Sequence, residues 1–297
     1  MPMEISEIQL NKVIETINTE NKTSYKIVCQ FSTGEWGAYR IADNDNNIAV
    51  LKFFLNLEKT NIIDPDPTLA IKITDKLRQY GYPVSKYLYS GKIEPNGMYW
   101  IQEFLNGEPL WKDPSVDQVK SLLSFLKLQK GNAVSSKQNL SNYVIETVFN
   151  NAYGKATKME NYSDETRCLL DKARDLAKEA KGIVLPSEDI VHGDFSYHQA
   201  MIVEDTIIGI IDWEESGCGD WLIDLTRLIY SLHDRPPLAE PIVKELRETD
   251  ERKIKLYTAY TVLEMISFPT NNYNKPISEG AINKAQSAMN FVANKIW

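Results

Sequence analysis

The amino-acid sequence predicts an α+β protein with two lobes, a small lobe rich in strands and a large lobe built mainly of helices. In the first third of the chain, β-branched and aromatic runs alternate with polar turns, which is typical of antiparallel strands. After Asn106 and Gly107, apolar residues recur instead at helical spacing. A length of 297 residues suits two lobes with a cleft between them, which we place at residues 1–104 and 105–297.

The smaller lobe contains two predicted helices and five predicted strands. The first helix covers residues 4–17, where isoleucine and valine recur near helical spacing. The second helix begins at Asp66 and Pro67, a cap followed by a first-turn proline, and ends near Gly81. The five runs that predict strands cover residues 25–31, 39–42, 48–54, 87–90 and 99–104.

The larger lobe contains six segments with helical periodicity and one β pair. The helical segments cover residues 116–129, 141–153, 164–180, 220–232, 251–268 and 278–295. The β pair covers residues 200–203 and 207–211, with a polar turn between its strands. A small β lobe, a connector and a large helical lobe together predict a cleft between the lobes.

Composition excludes several classes of protein. The formal net charge is −8, which opposes binding to nucleic acids because they require a basic surface. We find no apolar stretch near the roughly 20 residues needed to cross a bilayer, and no signal-peptide pattern. The three cysteines are far apart and form no CxxC pair, which argues against disulfides and structural zinc. We therefore expect a cytoplasmic protein without a nucleic-acid or membrane partner.

Two polar motifs flank the predicted hairpin. The first is HGDFSYHQ at residues 192–199, and the second is IDWE at residues 211–214. A strand, a turn and a returning strand bring Asp194 and Asp212 to the same end of the ladder. One carboxylate can then accept a proton from a hydroxyl while the other holds a divalent cation. Phosphoryl transfer requires this division of roles.

These motifs resemble the catalytic and metal-binding segments of aminoglycoside phosphotransferases and related choline kinase-like small-molecule kinases, which have a protein kinase-like fold. The resemblance implies that Asp194 is the base and that Asp212 binds the Mg²⁺ that bridges the nucleotide phosphates. The family usually has Asn five residues after the base. Gln199 occupies that position here and offers the same amide oxygen as a metal ligand. His192 would be a buried brace of the loop.

The segment 219–225 resembles the next motif of the family, in which an Asp at a helix start braces the catalytic loop. Asp220 and Asp224 share one helical face. Either of them could therefore be the brace.

The smaller lobe supplies the candidate nucleotide contacts. Alternation places Val50 and Lys52 on one face of a strand, and a lysine among apolar residues needs a partner such as a phosphate. By resemblance, Lys52 reaches the α and β phosphates of ATP, or of GTP, and Val50 covers the base. Glu103 and Leu105 would bind the adenine edge through their backbones. Gly34 in the first hairpin is a further candidate, although an ordinary turn also explains it.

The family normally places a Glu on the helix after this strand as the partner of the lysine. The matching stretch, residues 68–73, contains no acid. Asp75 and Glu58 are the nearest acids along the chain. Lys52 would therefore pair with one of them or be held by the nucleotide alone.

Three acids close to the motifs are candidates for binding a cationic acceptor: Glu214, Glu215 and Asp234. The resulting hypothesis is an ATP- and Mg²⁺-dependent phosphotransferase acting on a hydroxyl of an aminoglycoside or related antibiotic. A kinase of a metabolite such as choline, homoserine or a sugar is an alternative. A nucleotide-binding pseudokinase is a third, motivated by Gln199 and the missing helix glutamate.

Overall fold

Five strands form one antiparallel sheet in the computed structural model, which describes residues 6–31, 38–55, 67–273 and 276–297. They are β1 (Lys26–Gln30), β2 (Ala38–Ala42), β3 (Ile48–Phe54), β4 (Tyr87–Ile93) and β5 (Gly97–Glu103). Their order in the sheet is β1-β2-β3-β5-β4, so the strand that carries Lys52 is the central one. The strands agree with the predicted segments to within a few residues at each end.

In the described part of the chain, two helices accompany this sheet. Helix α1 (Glu7–Asn21) begins at Ser6, whose side chain and that of Gln9 form a capping box. Its residues Val13 and Ile17 pack against the sheet. Helix α2 (Pro67–Gln79) turns its apolar face toward the core that it shares with the larger lobe. The predicted cap of α2, Asp66, lies outside the described residues.

Within the described residues the larger lobe has eight helices. They are α3 (Val116–Lys127), α4 (Leu140–Phe149), α5 (Lys155–Tyr162), α6 (Asp164–Ala177), α7 (Leu222–Leu232), α8 (Pro236–Arg247), α9 (Glu251–Tyr273) and α10 (Glu279–Lys295). The sequence patterns miss α5 and α8. Helix α8 tolerates Pro236 in its first turn, where no backbone N–H is needed. Left-handed backbone at Asn151, Tyr153 and Gly154 separates α5 from α4.

Short strands place the two motifs. They are β6 (Glu108–Pro109), β7 (Asp189–Val191), β8 (Ala200–Val203), β9 (Thr206–Ile210) and β10 (Gly217–Gly219). Strand β8 pairs with β9 as predicted, and β7 pairs with β10. The segment 192–199 therefore connects β7 to β8, and the segment 211–216 connects β9 to β10. Both motif segments therefore run between the same two strand pairs, β7–β10 and β8–β9, and lie side by side.

The fold class is confirmed: a small antiparallel-sheet lobe is joined to a helical lobe. The buried apolar side chains of the described residues form two clusters, one between α1 and the sheet and a larger one through the helical lobe. The connector after β5 packs on the β8–β9 hairpin, where Leu105 lies over Gly209 and leaves no room for a Cβ. The lobe boundary at residues 104 and 105 stays a prediction. Among the described helices, none combines the length and apolar character that a bilayer crossing requires.

Candidate active site

The loop after β7 is held by Asp224 of α7. The buried Asp224 carboxylate accepts the backbone N–H of His192 at 2.6 Å and that of Gly193 at 3.0 Å. Gly193 has a φ of +89°, and a Cβ there would lie 2.7 Å from the Glu215 carbonyl oxygen. Only glycine fits this turn without strain. Burial raises the pKa of Asp224, and the His192 ring and the two backbone donors oppose that rise.

Asp220 has a different role. Its carboxylate accepts the Tyr257 hydroxyl at 2.9 Å and pairs with Lys253 at 3.2 Å, so it joins the start of α7 to α9. Of the two aspartates that the sequence left open as the brace, the structure places Asp224 at the loop and Asp220 at this helix junction.

His192 connects the two motif segments. Its Nδ1 accepts the Asp194 backbone N–H at 3.3 Å, which places the ring proton on Nε2. Nε2 then donates to the Ile211 carbonyl at 2.8 Å. The ring is buried and its centroid lies 4.5 Å from that of Trp213. The predicted brace therefore holds both segments at once.

The Asp194 carboxylate has two side-chain partners. Arg227 of α7 donates to Oδ1, and the Gln199 amide donates to Oδ2 at 3.0 Å. Asp194 keeps 43% of its side chain exposed, whereas Arg227 keeps 7%. The two partners thus fix the orientation of the Asp194 carboxylate, which is still partly exposed. The sequence reasoning missed Arg227. The available signal was its position three residues after Asp224, on the same face of α7.

Asp212 of the second motif segment adopts the left-handed conformation, with a φ of +66°. Asp is one of the few residues that tolerate this conformation, and such backbone is often found at functional sites. The Ile211 N–H donates to the Gln199 carbonyl at 3.0 Å, so Gln199 and Asp212 are neighbours across the end of the hairpin.

Lys52 joins this group from the other lobe. Its Nζ donates to Asp212 Oδ1, and it donates to Glu214 Oε1 at 2.9 Å. Burial favours the neutral amine, but the two carboxylates more than offset that effect and raise the pKa of Lys52. Burial likewise opposes ionisation of Asp212, and Lys52 nevertheless lowers its pKa. The pair is therefore charged at neutral pH.

The partners of Lys52 differ from those considered in the sequence. Asp75 is exposed and pairs with Arg78 on its own helix. Glu58 lies outside the described residues. The structure assigns both observed contacts of Lys52 to the segment after β9, which is distant from β3 along the chain.

The three acids predicted to bind the acceptor substrate lie in different surroundings. Glu214 faces Lys52 and the Trp100 indole. Glu215 faces the Asp194 side, where burial and then the Asp194 charge raise its pKa to about 7. Its side chain remains open to solvent, which screens these effects. Asp234 follows α7 and lies 3.9 Å from Arg235. Among the described residues, Asp234 is not one of the side-chain hydrogen-bond partners of Asp194.

The chain matches a known family over most of its length. Residues 65–257 match the model of the phosphotransferase enzyme family, APH. The chain belongs to this family. The predictions that it is related to the aminoglycoside phosphotransferases and that it is a phosphotransferase are confirmed. No curated protein sequence matches this phosphotransferase significantly.

Solved structures share the fold of this phosphotransferase. A thermostable mutant of the aminoglycoside phosphotransferase APH(4)-Ia has a TM-score of 0.66 at 15% identity, covering 96% of this chain and 99% of that one. Amicoumacin kinase hAmiN in complex with AMP-PNP, Ca²⁺ and Ami has a TM-score of 0.62 at 12% identity, covering 98% and 96%. Choline kinase LicA from Streptococcus pneumoniae has a TM-score of 0.64 at 13% identity, covering 96% and 99%. At these identities the likeness shows the fold.

The predicted nucleotide contacts of the phosphotransferase lie on or near β3 and β5. Val50 pairs with Gln102 across the two strands. The Glu103 N–H donates to the Lys86 carbonyl at 2.8 Å, and the Leu105 carbonyl accepts the Gly107 N–H at 2.9 Å. The predicted contact at Gly34 lies outside the described residues.

The donor set near Asp212 suits a cation shared with a nucleotide. Within the described part of the chain, no group of three or more His, Cys, Asp or Glu side chains is placed to hold a metal ion by itself. The available oxygen donors are the Asp212 carboxylate and the Gln199 amide oxygen, since the Gln199 nitrogen faces Asp194. Mg²⁺ commonly takes one or two carboxylates together with substrate phosphates. The residues present fit that mode.

Proposed function

We propose that this phosphotransferase is a small-molecule kinase that moves the γ-phosphate of ATP to a hydroxyl of a cationic acceptor, most directly an aminoglycoside or related antibiotic. One observation carries the proposal. A carboxylate with a fixed orientation, Asp194, is linked through Gln199 and His192 to the segment that carries a second carboxylate, Asp212, which is paired with the lysine of the opposite lobe. Solved structures of similar fold include complexes with AMP-PNP and hygromycin B, which supports a nucleotide and an aminoglycoside as the substrates.

Asp194 is the proton acceptor in this mechanism. Arg227 and Gln199 hold its two oxygens, so its orientation does not depend on the substrate. The acceptor oxygen forms a bond to the γ-phosphorus, the bond from that phosphorus to the β–γ bridging oxygen breaks, and ADP leaves. The hydroxyl proton goes to Asp194, which retains a free lone pair on each oxygen.

The triphosphate of the nucleotide and its cation are bound by Lys52, Asp212 and Gln199. Lys52 would exchange its contact with Asp212 for the phosphates, and Asp212 and Gln199 would hold Mg²⁺. When bound, the cation would neutralise part of the negative charge of the triphosphate. Glu103 would offer its carbonyl and Leu105 its N–H to the adenine edge, because their other backbone groups are already bonded.

A cationic acceptor is supported by the charge around Asp194. Three carboxylates, those of Asp194, Glu215 and Glu264, face two cations, Arg227 and Lys155. Burial and then the charge of Asp194 raise the pKa of Glu215, and the ammonium group of an acceptor would balance the excess negative charge. The rings of Tyr143 and Tyr153, whose centroids are 4.4 Å apart and whose planes are tilted by 34°, lie next to this group and could cover a sugar or an amine.

An ADP-release screen over aminoglycosides, other antibiotics and metabolite alcohols tests the proposal. We expect Mg·ATP turnover with at least one aminoglycoside or related amine-bearing antibiotic. Asp194→Asn should lower kcat by roughly 10²–10⁴-fold while nucleotide affinity stays within a fewfold. Asp205→Asn, in the exposed turn between β8 and β9, is the matched control.

Turnover by Asp194→Asn at the wild-type rate would contradict the assignment of the base. A wild-type protein that binds Mg·ATP but phosphorylates no member of the panel would favour the pseudokinase alternative. Turnover with choline, homoserine or a neutral sugar only would identify a metabolite kinase.

A further inference from the structure

Lys52 and Trp100 form a directly opposed pair across β3 and β5. They share one face of the sheet, and both direct an N–H donor to a single atom of the other lobe. Lys52 Nζ lies 2.9 Å from Glu214 Oε1, and Trp100 Nε1 lies 3.0 Å from the same oxygen. Trp100 is buried, Glu214 keeps 15% of its side chain exposed and Lys52 keeps 18%. The Glu214 carboxylate thus accepts hydrogen bonds from both residues of a cross-strand pair, in a largely buried environment.

Helix α2 offers Lys52 no equivalent group. Its buried face consists of apolar residues and Thr74, whose hydroxyl is bonded to the helix backbone. The one acid within the described residues of α2 is Asp75, which is exposed and paired with Arg78. The helix therefore contributes packing where the sequence resemblance leads one to expect a carboxylate.

We propose that Glu214 is the positioning residue for Lys52, and that it replaces the missing helix glutamate with a carboxylate from the larger lobe. This inference rests on the proposed function, since it concerns how Lys52 is held for the triphosphate. It also removes Glu214 from the acceptor-binding acids. Lys52 is then oriented by the segment that carries Asp212, so both phosphate-binding groups are positioned by one turn.

The local backbone explains how adjacent glutamates take different roles. Residues Trp213–Glu215 form a single 3₁₀ turn, in which successive side chains point about 120° apart. The buried Trp213 anchors this turn, and its indole donates to the Ile210 carbonyl at 3.0 Å. Glu214 consequently faces the sheet, while Glu215 faces Asp194.

Asp212 is less suited to this role than Glu214. Its side chain is 38% exposed, and it is the carboxylate that fits a cation shared with the nucleotide. A carboxylate that takes up a cation gives less of its charge to Lys52. Glu214 has a second anchor in Trp100 and therefore stays in place when Asp212 changes partner.

Equilibrium titration with Mg·ATP and steady-state kinetics test this role. We expect Glu214→Gln, which keeps the shape and one acceptor oxygen, to weaken nucleotide affinity several-fold and to lower kcat/KM for ATP by roughly tenfold to a hundredfold. The KM for the acceptor should change little. Glu214→Asp should recover part of the loss, and Trp100→Phe should cause a smaller loss in the same direction. Asp75→Asn is the matched control on α2 and should behave as wild type.

A double-mutant cycle separates action through Lys52 from a general structural effect. In a Lys52→Met background, Glu214→Gln should change nucleotide affinity less than twofold, because its partner is gone. Additive losses would overturn the proposal, as would wild-type affinity and kcat in Glu214→Gln. A loss caused by Glu58→Gln instead would identify a different partner and also overturn it. If the wild-type protein binds no nucleotide, the proposed function fails first, and that outcome is distinct from these.

Discussion

Replacing Asp224 tests the architecture of the loop most directly. Its carboxylate accepts two backbone N–H groups, at 2.6 and 3.0 Å, in a buried site. Asp224→Asn keeps one acceptor oxygen and turns an NH₂ group toward the other donor. One buried N–H then loses its partner, which costs about 1–3 kcal/mol. The substitution also removes a buried carboxylate, whose pKa is raised by burial. We therefore expect a cost in the lower half of that range.

Calorimetry and kinetics measure the two consequences. A chain of this size shifts its Tm by roughly 2–4 °C per kcal/mol, so Asp224→Asn, at a cost of about 1–2 kcal/mol, should lower the Tm by about 2–8 °C. Because Asp194 lies two residues beyond His192, a displacement near 1 Å should lower kcat by about a hundredfold.

Asp220→Asn is the matched control, because Asp220 is also buried but lies just before α7 and joins the start of that helix to α9. It should lower the Tm while keeping kcat within a fewfold of wild type. Wild-type kcat in Asp224→Asn, together with a large loss in Asp220→Asn, would refute the assignment of the brace.

Two further predictions concern the cation and the acceptor. Asp212→Ala should weaken Mg·ATP binding at least tenfold and raise the Mg²⁺ concentration needed for half-maximal turnover; an unchanged Mg²⁺ titration would count against Asp212 as a ligand. Because the pKa of Glu215 is raised to about 7, its carboxylate gains a proton as the pH falls from 8 to 6 and attracts an ammonium group less. The KM for a cationic acceptor should therefore rise over that range in the wild type and stay flat in Glu215→Gln. An equal slope in both proteins would exclude Glu215 from acceptor binding.

Local patterns predicted the elements that local physics controls. Alternation and turn chemistry located the strands of the sheet, and helical periodicity located α3, α4, α6, α7, α9 and α10. The two motifs flanking the β8–β9 hairpin were likewise predicted to meet, because a hairpin returns its ends to one place. The misses have local causes: α8 contains Pro237 and Pro241, which argue against a helix, and α5 follows a left-handed break that periodicity does not report.

Partners within the site were decided by the tertiary structure. The sequence supplied the acids and bases of the site, but an ion pair depends on which side chains meet after remote segments pack together. Lys52 pairs with Glu214 across the cleft, and Arg227 reaches Asp194 because α7 lies beneath the loop. Asp224 and Asp220 are equivalent by spacing, and only the position of the loop distinguishes them.

The sequence by itself determined the fold class, the family and the two motif segments, because periodicity, turn residues and motif spacing are properties of neighbouring residues. Only the tertiary structure decided that Glu214 holds Lys52, that Arg227 orients Asp194 and that Asp224 braces the loop. Each of these contacts joins groups that are distant in sequence, and the packing of helices and sheet brings them within hydrogen-bonding distance.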